Sequence, residues 1–226
     1  MADQHIYSPE TIIKAYSLGL FPMADSHDSL AIKFYDPKQR ALIPIDNTLG
    51  RGVRIPRRLR RRVRQSPYVI TIDTNFIAVI DACAALNDKR KDTWINKDIR
   101  QLYIALHQMG FAHSIEVWLD QALVGGLYGV ALRAAFFGES MFTKQTDASK
   151  IALVHLMARL KHGGFLLLDA QFMNDHLQQF GITEIDRADF QRRLAHALGF
   201  EADLAHEIPS AQLVIPFLDS LTANSS

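Results

Sequence analysis

The sequence predicts an α+β protein, with a small N-terminal α/β domain ahead of a larger domain whose mainly antiparallel sheet carries flanking helices. Three observations lead there. His113 to Leu119, Leu123 to Val130 and Phe136 to Phe142 are strand-prone runs joined by turns at Asp120-Gln121 and Arg133-Ala134, the spacing of an antiparallel meander. A helical stretch from Asp147 to Lys161 then delivers the chain into the apolar run Phe165-Leu166-Leu167-Leu168, so one more strand joins after a crossover. Asp46-Asn47, Gly50 and Gly52 form a turn-rich junction, which divides the chain into domains at 1–50 and 51–226.

Each element has a local cause. Ser8-Pro9-Glu10 supplies an N-cap, a proline at the first helical position and an acid in the first turn. The helix it opens carries Ile12, Ile13, Ala15 and Tyr16 and stops at Gly19. Phe21-Pro22-Met23 lies outside that helix, and a strand-prone stretch with prolines runs from Ala31 to Pro44. Pro56 starts a basic helix whose one apolar stripe is Leu59 and Val63. Tyr68 to Ile72 reads as a strand and Asn75 to Ala85 as a helix. Between Asp98 and Met109, residues Ile99, Leu102, Tyr103, Leu106 and Met109 share one helical face, with Gly110 as the stop. Asp147 caps the crossover helix, and His162-Gly163-Gly164 closes it. The strand after it covers Gly163 to Phe172. A last helix covers Ala188 to Leu198, a last strand Gln212 to Ile215, and the tail from Ala223 to Ser226 is expected to fray.

Composition narrows the function classes. With 48% apolar and 22% charged side chains in 226 residues, the chain has the make-up of an ordinary globular protein. No apolar run reaches the roughly 18 residues of a membrane span. Met1 to Tyr7 lacks the basic and apolar regions of a signal peptide, so a cytoplasmic location is expected. The single cysteine, Cys83, excludes an internal disulfide, and the nine histidines show no H-x-x-x-H spacing, so no metal site is expected.

The net charge of +1 hides an asymmetry. Arg51, Arg54, Arg57, Arg58, Arg60, Arg61, Arg62 and Arg64 fall in one short stretch without an acid, while the rest of the chain is net acidic. Like charges at that density repel, and an anionic partner offsets the cost. Three partners fit: nucleic acid, water over a solvated face, or an acidic membrane surface. Arginine throughout favours bidentate phosphate contacts, and Arg54, Arg57, Arg58, Arg61 and Arg62 are the candidates for them.

Candidate chemistry concentrates downstream. Asp169 and Gln171 end a buried apolar strand two residues apart, on one face by strand alternation. An unpaired polar group there costs about 1–3 kcal/mol, so the pair needs partners. One reading is a site in which the Asp169 carboxylate accepts from the Gln171 amide and aims the amide oxygen at a proton donor. The other is a solvated strand end. Gly125, Gly126, Gly129 and Gly138 inside strands suggest a groove. Glu139, among Phe136, Phe137, Met141 and Phe142, is either a structural acid or a catalytic one. Trp94 is a core anchor or a stacking platform for a base.

Tyr16 to Pro22, Thr93-Trp94-Ile95, His113 to Trp118, Leu123 to Val130, Phe137 to Phe142, Ala148-Ser149-Lys150 and Leu168 to Gln171, taken together and in this order, resemble the signature blocks of the leucyl/phenylalanyl-tRNA-protein transferase family. The resemblance implies a cofactor-free cytoplasmic enzyme with Leu-tRNA and Phe-tRNA as donors and proteins beginning with Arg or Lys as acceptors; separately, a monomer is expected. Leu or Phe, and to a lesser extent Met, would move to the acceptor's N-terminal amine and mark it for N-end degradation. It also implies an acetyltransferase-like larger domain, whose order of strands and crossover helix is similar to that read above.

By motif, Asp169 and Gln171 are the implied catalytic pair, Glu139 lies in the substrate site, Trp94 meets the terminal adenosine, and Asn174 helps hold the ester carbonyl. An apolar pocket from Phe136, Phe137 and Met141 would select the amino acid. The chain departs from the family where Tyr35 stands in place of a tryptophan before proline, and where Asp186 stands in place of a proline. Tyr35 can still stack. Two other readings stay open: an acyl-CoA-dependent N-acyltransferase, which lacks a glycine-rich pyrophosphate loop here, and a non-catalytic tRNA-binding protein, which leaves Asp169 and Gln171 without a purpose.

Overall fold

The computed structural model describes residues 7–86 and 91–223. The readings made for residues 1–6 and for the tail at 224–226 lie outside the described residues. Helix α1 (Pro9–Ser17) forms as the sequence dictates, with Ser8 Oγ accepting the Thr11 N–H at 3.3 Å and Ile12, Ala15 and Tyr16 buried. It ends before Gly19, whose φ of +81° suits glycine. Strands β1 (Phe21–Ala24) and β2 (Ile32–Tyr35) then form a separate antiparallel ribbon. Strand β3 (Gln39–Leu42) leaves that ribbon and joins the main sheet.

The elements that follow are α2 (Arg57–Gln65), β4 (Val69–Ile72), α3 (Phe76–Ala84), α4 (Lys97–Gln108), β5 (Ala112–Leu119), β6 (Ala122–Leu132), β7 (Ala135–Thr143), α5 (Ala148–His162), β8 (Leu167–Gln171), β9 (Thr183–Asp186), α6 (Arg187–Leu198) and α7 (Ser210–Ala223). Among the described residues the main sheet has seven strands in the order β4-β5-β6-β7-β8-β3-β9. The expected meander is present as β5-β6-β7. Its first turn places Asp120 and Gln121 at positive φ (45° and 64°), the twist a tight hairpin prefers. Helix α5 crosses over and sets β8 parallel to β7; the other neighbours are antiparallel.

Two cores sandwich the sheet. On one face α2, α5 and α7 pack through Leu59, Val63, Leu156 and Phe217. On the other, α1, α3, α4 and α6 pack through Tyr16, Phe76, Tyr103 and Phe190. Among the described residues no helix is long and apolar enough to cross a membrane.

Three local readings need correction. The strand read at Gln212 to Ile215 lies within α7. Leu213, Val214, Phe217 and Leu218 are buried at a helical spacing against α5, and this burial overrides the strand preference of Val214-Ile215. Asp147 stands at the start of α5 in a left-handed conformation (φ 64°) and makes no capping bond; its carboxylate binds Arg62 at 2.9 Å instead. Asp186, the residue that departs from a proline, is the N-cap of α6, accepting the Asp189 N–H at 2.8 Å.

Candidate functional site

The parallel pairing of β7 and β8 runs from Ala135 opposite Leu167 to Phe137 opposite Asp169 and stops there. Beyond that point a cavity of about 340 Å³ opens, lined from β7 by Gly138, Glu139, Ser140 and Met141 and from β8 by Asp169, Ala170 and Gln171. Each strand also carries one extra residue at this point. Gly138 pairs with Gly129 and Ser140 with Tyr128, which leaves Glu139 as the bulged residue. Across β3, Leu42 pairs with Asp169 and Ala41 with Gln171, so Ala170 is the surplus. Bulges bend a strand and re-aim its side chains, and two of them at one strand divergence are what shape this site.

Glu139 receives three hydrogen bonds from neutral donors. Tyr16 Oη lies 2.6 Å from Oε1, Tyr103 Oη 2.8 Å from Oε2, and Gln171 Nε2 3.0 Å from Oε1. The two tyrosine hydroxyls also touch each other at 2.5 Å. Burial pushes the Glu139 carboxyl up to about 7, against the lowering effect of its three donors; the nearby Asp169 charge adds to the rise. Both tyrosines are in turn raised well above their ordinary range by burial and by the facing carboxylate.

Asp169 is held differently. Its carboxylate takes Arg40 Nη2 at 2.6 Å and Nε at 2.9 Å, and both side chains are almost fully buried. The same guanidinium donates to the Gly19 carbonyl at 2.9 Å and lies between the Phe21 and Phe190 rings, 4.6 and 4.3 Å from their centroids. Asp169 Oδ1 also accepts the Gln171 backbone N–H at 2.8 Å, and Gln171 adopts a left-handed φ of 64°, unusual for a side chain of its size. The expected bond from the Gln171 amide to Asp169 is therefore absent among the described contacts. Arg40 occupies the carboxylate, and Glu139 orients the amide.

Met141, Asn174 and Trp94 line the same cavity, Trp94 half-buried at its edge. Asn174 also accepts the His176 N–H at 2.8 Å, opening the short 3-10 turn that follows β8. Phe136 and Phe137 do not line the cavity. As neighbours on β7 they point to opposite faces and fill the two cores, and the apolar wall comes instead from Leu153 and Leu156 of α5 together with Leu168. Tyr35 stacks on Phe21 at 6.0 Å, outside the cavity lining. Of the strand glycines only Gly138 borders the space. Gly125 is there for packing, since a Cβ on it would fall 2.4 Å from Ala148 Cβ.

Arg40, Tyr16 and Tyr103 are site residues that the sequence reading missed. Tyr16 and Tyr103 sit on the buried faces of their helices, where periodicity marks them as core and gives no hint that their hydroxyls need a partner. Arg40 stands in a strand-prone run where a lone charge reads as solvated.

The basic helix buries Leu59 and Val63 as expected. Its arginines are less uniform than the sequence suggests. Arg57, Arg58 and Arg61 are exposed, as is Arg54 ahead of the helix. Arg62 pairs with Asp147 at 2.9 Å and Arg64 with Asp219 at 2.5 Å, so acids distant in sequence neutralise two of the eight.

A family model described as leucyl/phenylalanyl-tRNA protein transferase matches residues 49–195, and one described as the N-terminal domain of that transferase matches residues 6–38. Among curated relatives, the leucyl/phenylalanyl-tRNA–protein transferase of Phenylobacterium zucineum is 50% identical over 208 residues, 91% of this chain and 92% of its own. That of Hyphomonas neptunium is 53% identical over 197 residues, 87% of this chain and 74% of its own. That of Maricaulis maris is 48% identical over 222 residues, 97% and 99% of the two chains. Matched along almost its whole length by family models and by relatives near half identity, the chain belongs to the leucyl/phenylalanyl-tRNA–protein transferase family.

Proposed function

We propose that the chain moves a leucyl or phenylalanyl group from the ribose ester of its tRNA to the N-terminal amine of a protein beginning with Arg or Lys, in the cavity between β7 and β8. Acting in the cytoplasm as a single chain, it would mark such proteins for N-end degradation. The observation that carries this reading is the bulged Glu139, joined to Gln171 at the mouth of an apolar cavity. The strand divergence after an antiparallel meander supports an acetyltransferase-like assignment for residues 51–226, with β3 passed into that sheet from residues 1–50.

An aminoacyl ester is already activated, so the site has to position the reactants, move a proton and stabilise the oxyanion. The acceptor nitrogen bonds to the ester carbonyl carbon, the carbon–oxygen bond to the ribose breaks, and the nitrogen's surplus proton ends on the ribose oxygen. Gln171 donates one amide hydrogen to Glu139, which fixes the amide and leaves its oxygen to accept from the attacking amine. Amide oxygens are poor bases. Glu139, held near neutrality, is matched to take that proton and return it to the leaving oxygen. Asp169, neutralised by Arg40, fixes the Gln171 backbone and acts as a positioning residue.

Leu153, Leu156, Leu168 and Met141 would receive the amino-acid side chain; shape selection of this kind discriminates by only about 1–3 kcal/mol, so Met is accepted to a lesser extent. Trp94 stacks on the terminal adenine, and Asn174 helps hold the ester carbonyl. Arg54, Arg57, Arg58 and Arg61 follow the tRNA backbone, with Arg62 lending less because Asp147 already holds it. Tyr35 bears on this site through Phe21, which also packs against Phe172 of the cavity wall. The test is incubation with labelled Leu-tRNA and an Arg-starting peptide. Label in the peptide amine is expected, and its absence with a folded protein overturns the reading.

A further inference from the structure

We propose that Asp73, His113 and His206 form a binding site for one divalent transition-metal ion of the zinc class, on the face of the sheet opposite Glu139. The three come from separate places: Asp73 from the turn after β4, His113 from the start of β5, and His206 from the segment between α6 and α7. His113 shares its face of β5 with Ile115 and Val117, which pack in the α5 core, whereas Glu139 bonds Tyr16 and Tyr103 of the other core.

His113 Nδ1 and His206 Nε2 each lie 2.7 Å from the same atom, Asp73 Oδ2. All three ligand atoms lie within 4.8 Å of one another. His113 Nε2 is 3.1 Å from the Gly110 carbonyl oxygen, which can only accept a hydrogen bond. A neutral imidazole so placed carries its N–H on Nε2 and its lone pair on Nδ1, aimed at an oxygen that is also an acceptor. Two acceptors at that separation repel unless a proton or a metal ion stands between them. A backbone carbonyl holding the remote N–H is also what metal-bound histidines characteristically have. The carboxylate is fixed as well, because Asp73 Oδ1 accepts the Ser114 N–H at 2.7 Å and leaves Oδ2 to the ion. His107 Nδ1, 3.9 Å from Asp73 Oδ1, lies 2.8 Å from the Ala112 carbonyl and stands outside the set.

Ligand atoms around tetrahedral zinc stand roughly 3.3 Å apart for bonds near 2.0–2.1 Å, so the two 2.7 Å contacts would open by roughly 0.6 Å while the histidine nitrogens, within 4.8 Å of each other, settle to the same spacing. Two imidazoles and one carboxylate suit zinc over calcium or magnesium, and the half-exposed His206 leaves the fourth position to water. The ion would act as a staple. The segment bearing His206 already wraps Arg159 through the Leu204 and Ile208 carbonyls, and the metal would tie it to the end of the sheet at β4 and β5.

The test is calorimetric titration of the EDTA-treated full chain with Zn²⁺ at pH 7.5, beside His206→Ala and Asp73→Asn, with thermal unfolding of each. Expected are one Zn²⁺ per chain, binding at least tenfold weaker in either variant, and a Zn²⁺-dependent rise in the unfolding temperature that His206→Ala loses. His206 is a partly exposed loop residue, so its variant folds and keeps the comparison valid. Absence of stoichiometric binding by the parent, or binding that both variants retain, would show the cluster to be an ion pair held by protons.

Discussion

Asp169 and Glu139 both contact Gln171, the first through its backbone N–H and the second through its side-chain amide, yet their surroundings differ in kind. Asp169 is buried against a guanidinium that is itself gripped by the Gly19 carbonyl and two aromatic rings. Among the described residues Glu139 contacts two phenols and an amide and no cation. A full counter-charge offsets the burial of a carboxylate directly, whereas neutral donors offset desolvation only in part, and the Glu139 carboxyl is pushed up to about 7. Two acids a few residues of sheet apart thus differ in how their burial is compensated: one is held by a guanidinium and fixes a backbone N–H, the other is held by neutral donors.

The largest expected effect comes from breaking the compensated side of this pair. Arg40→Met strands a buried carboxylate, and denaturant unfolding should register a loss of about 3–5 kcal/mol together with loss of transfer. Stability equal to the parent's would mean that Asp169 needs no counter-charge, and the contrast with Glu139 would collapse. On the other side, Glu139→Gln keeps the shape and should keep the fold, while single-turnover transfer slows by about 10²-fold or more.

Stability against pH sharpens the contrast further. The Glu139 carboxyl, at about 7 in the fold against 4.5 ordinarily, holds a proton that the unfolded chain releases. Its contribution is therefore present below pH 4.5 and lost as pH rises toward 7, an effect of at most about 3 kcal/mol, less because the side chain is partly open to the cavity. Glu139→Gln should remove that slope. His155, pushed down by burial to about 4 from 6.5, has the opposite sense: its contribution is present above pH 6.5 and lost as pH falls toward 4. His155→Gln should flatten the acid side alone, and unfolding midpoints measured from pH 4 to 8 separate the two.

The smallest effect on chemistry should come from the arginine helix. Replacing Arg57, Arg58 and Arg61 with Gln should lower the log–log salt slope of tRNA binding by up to about 3 units and leave the rate at saturating tRNA unchanged. Arg62→Gln alone should change the slope less than any of the three, because Asp147 already neutralises it.

What was legible in the sequence follows the range of the interactions. The meander, the crossover helix and the Ser8 cap rest on local patterning, and they appear where periodicity places them. Asp169, Gln171 and Glu139 were visible as polar groups in apolar strands, and the cavity brings them together. Their partners were not visible. Arg40 meets Asp169, and Tyr16 meets Glu139, across more than a hundred residues of chain, and neither a charge in a strand nor a phenol in a helix announces its partner. The bulges at Glu139 and Ala170 escape for a related reason: an extra residue is defined only by the neighbouring strand's register. Phe136 and Phe137 were misread because aromatic neighbours of a candidate acid look like a pocket wall, while adjacent strand positions must point apart. The α7 segment looks like a strand until α5 supplies a surface that rewards helical spacing.

The most direct measurement is the pH dependence of single-turnover Leu transfer by the parent and by Glu139→Gln at saturating Leu-tRNA and peptide. The acceptor amine contributes a limb near pH 8 that both proteins share. With Glu139 as proton acceptor, the parent shows a further rise through about pH 7, and the variant loses that rise along with most of its rate. A variant that keeps the limb near 7 and a rate within about twofold of the parent would contradict the assignment and return the proton to Gln171 or the ribose.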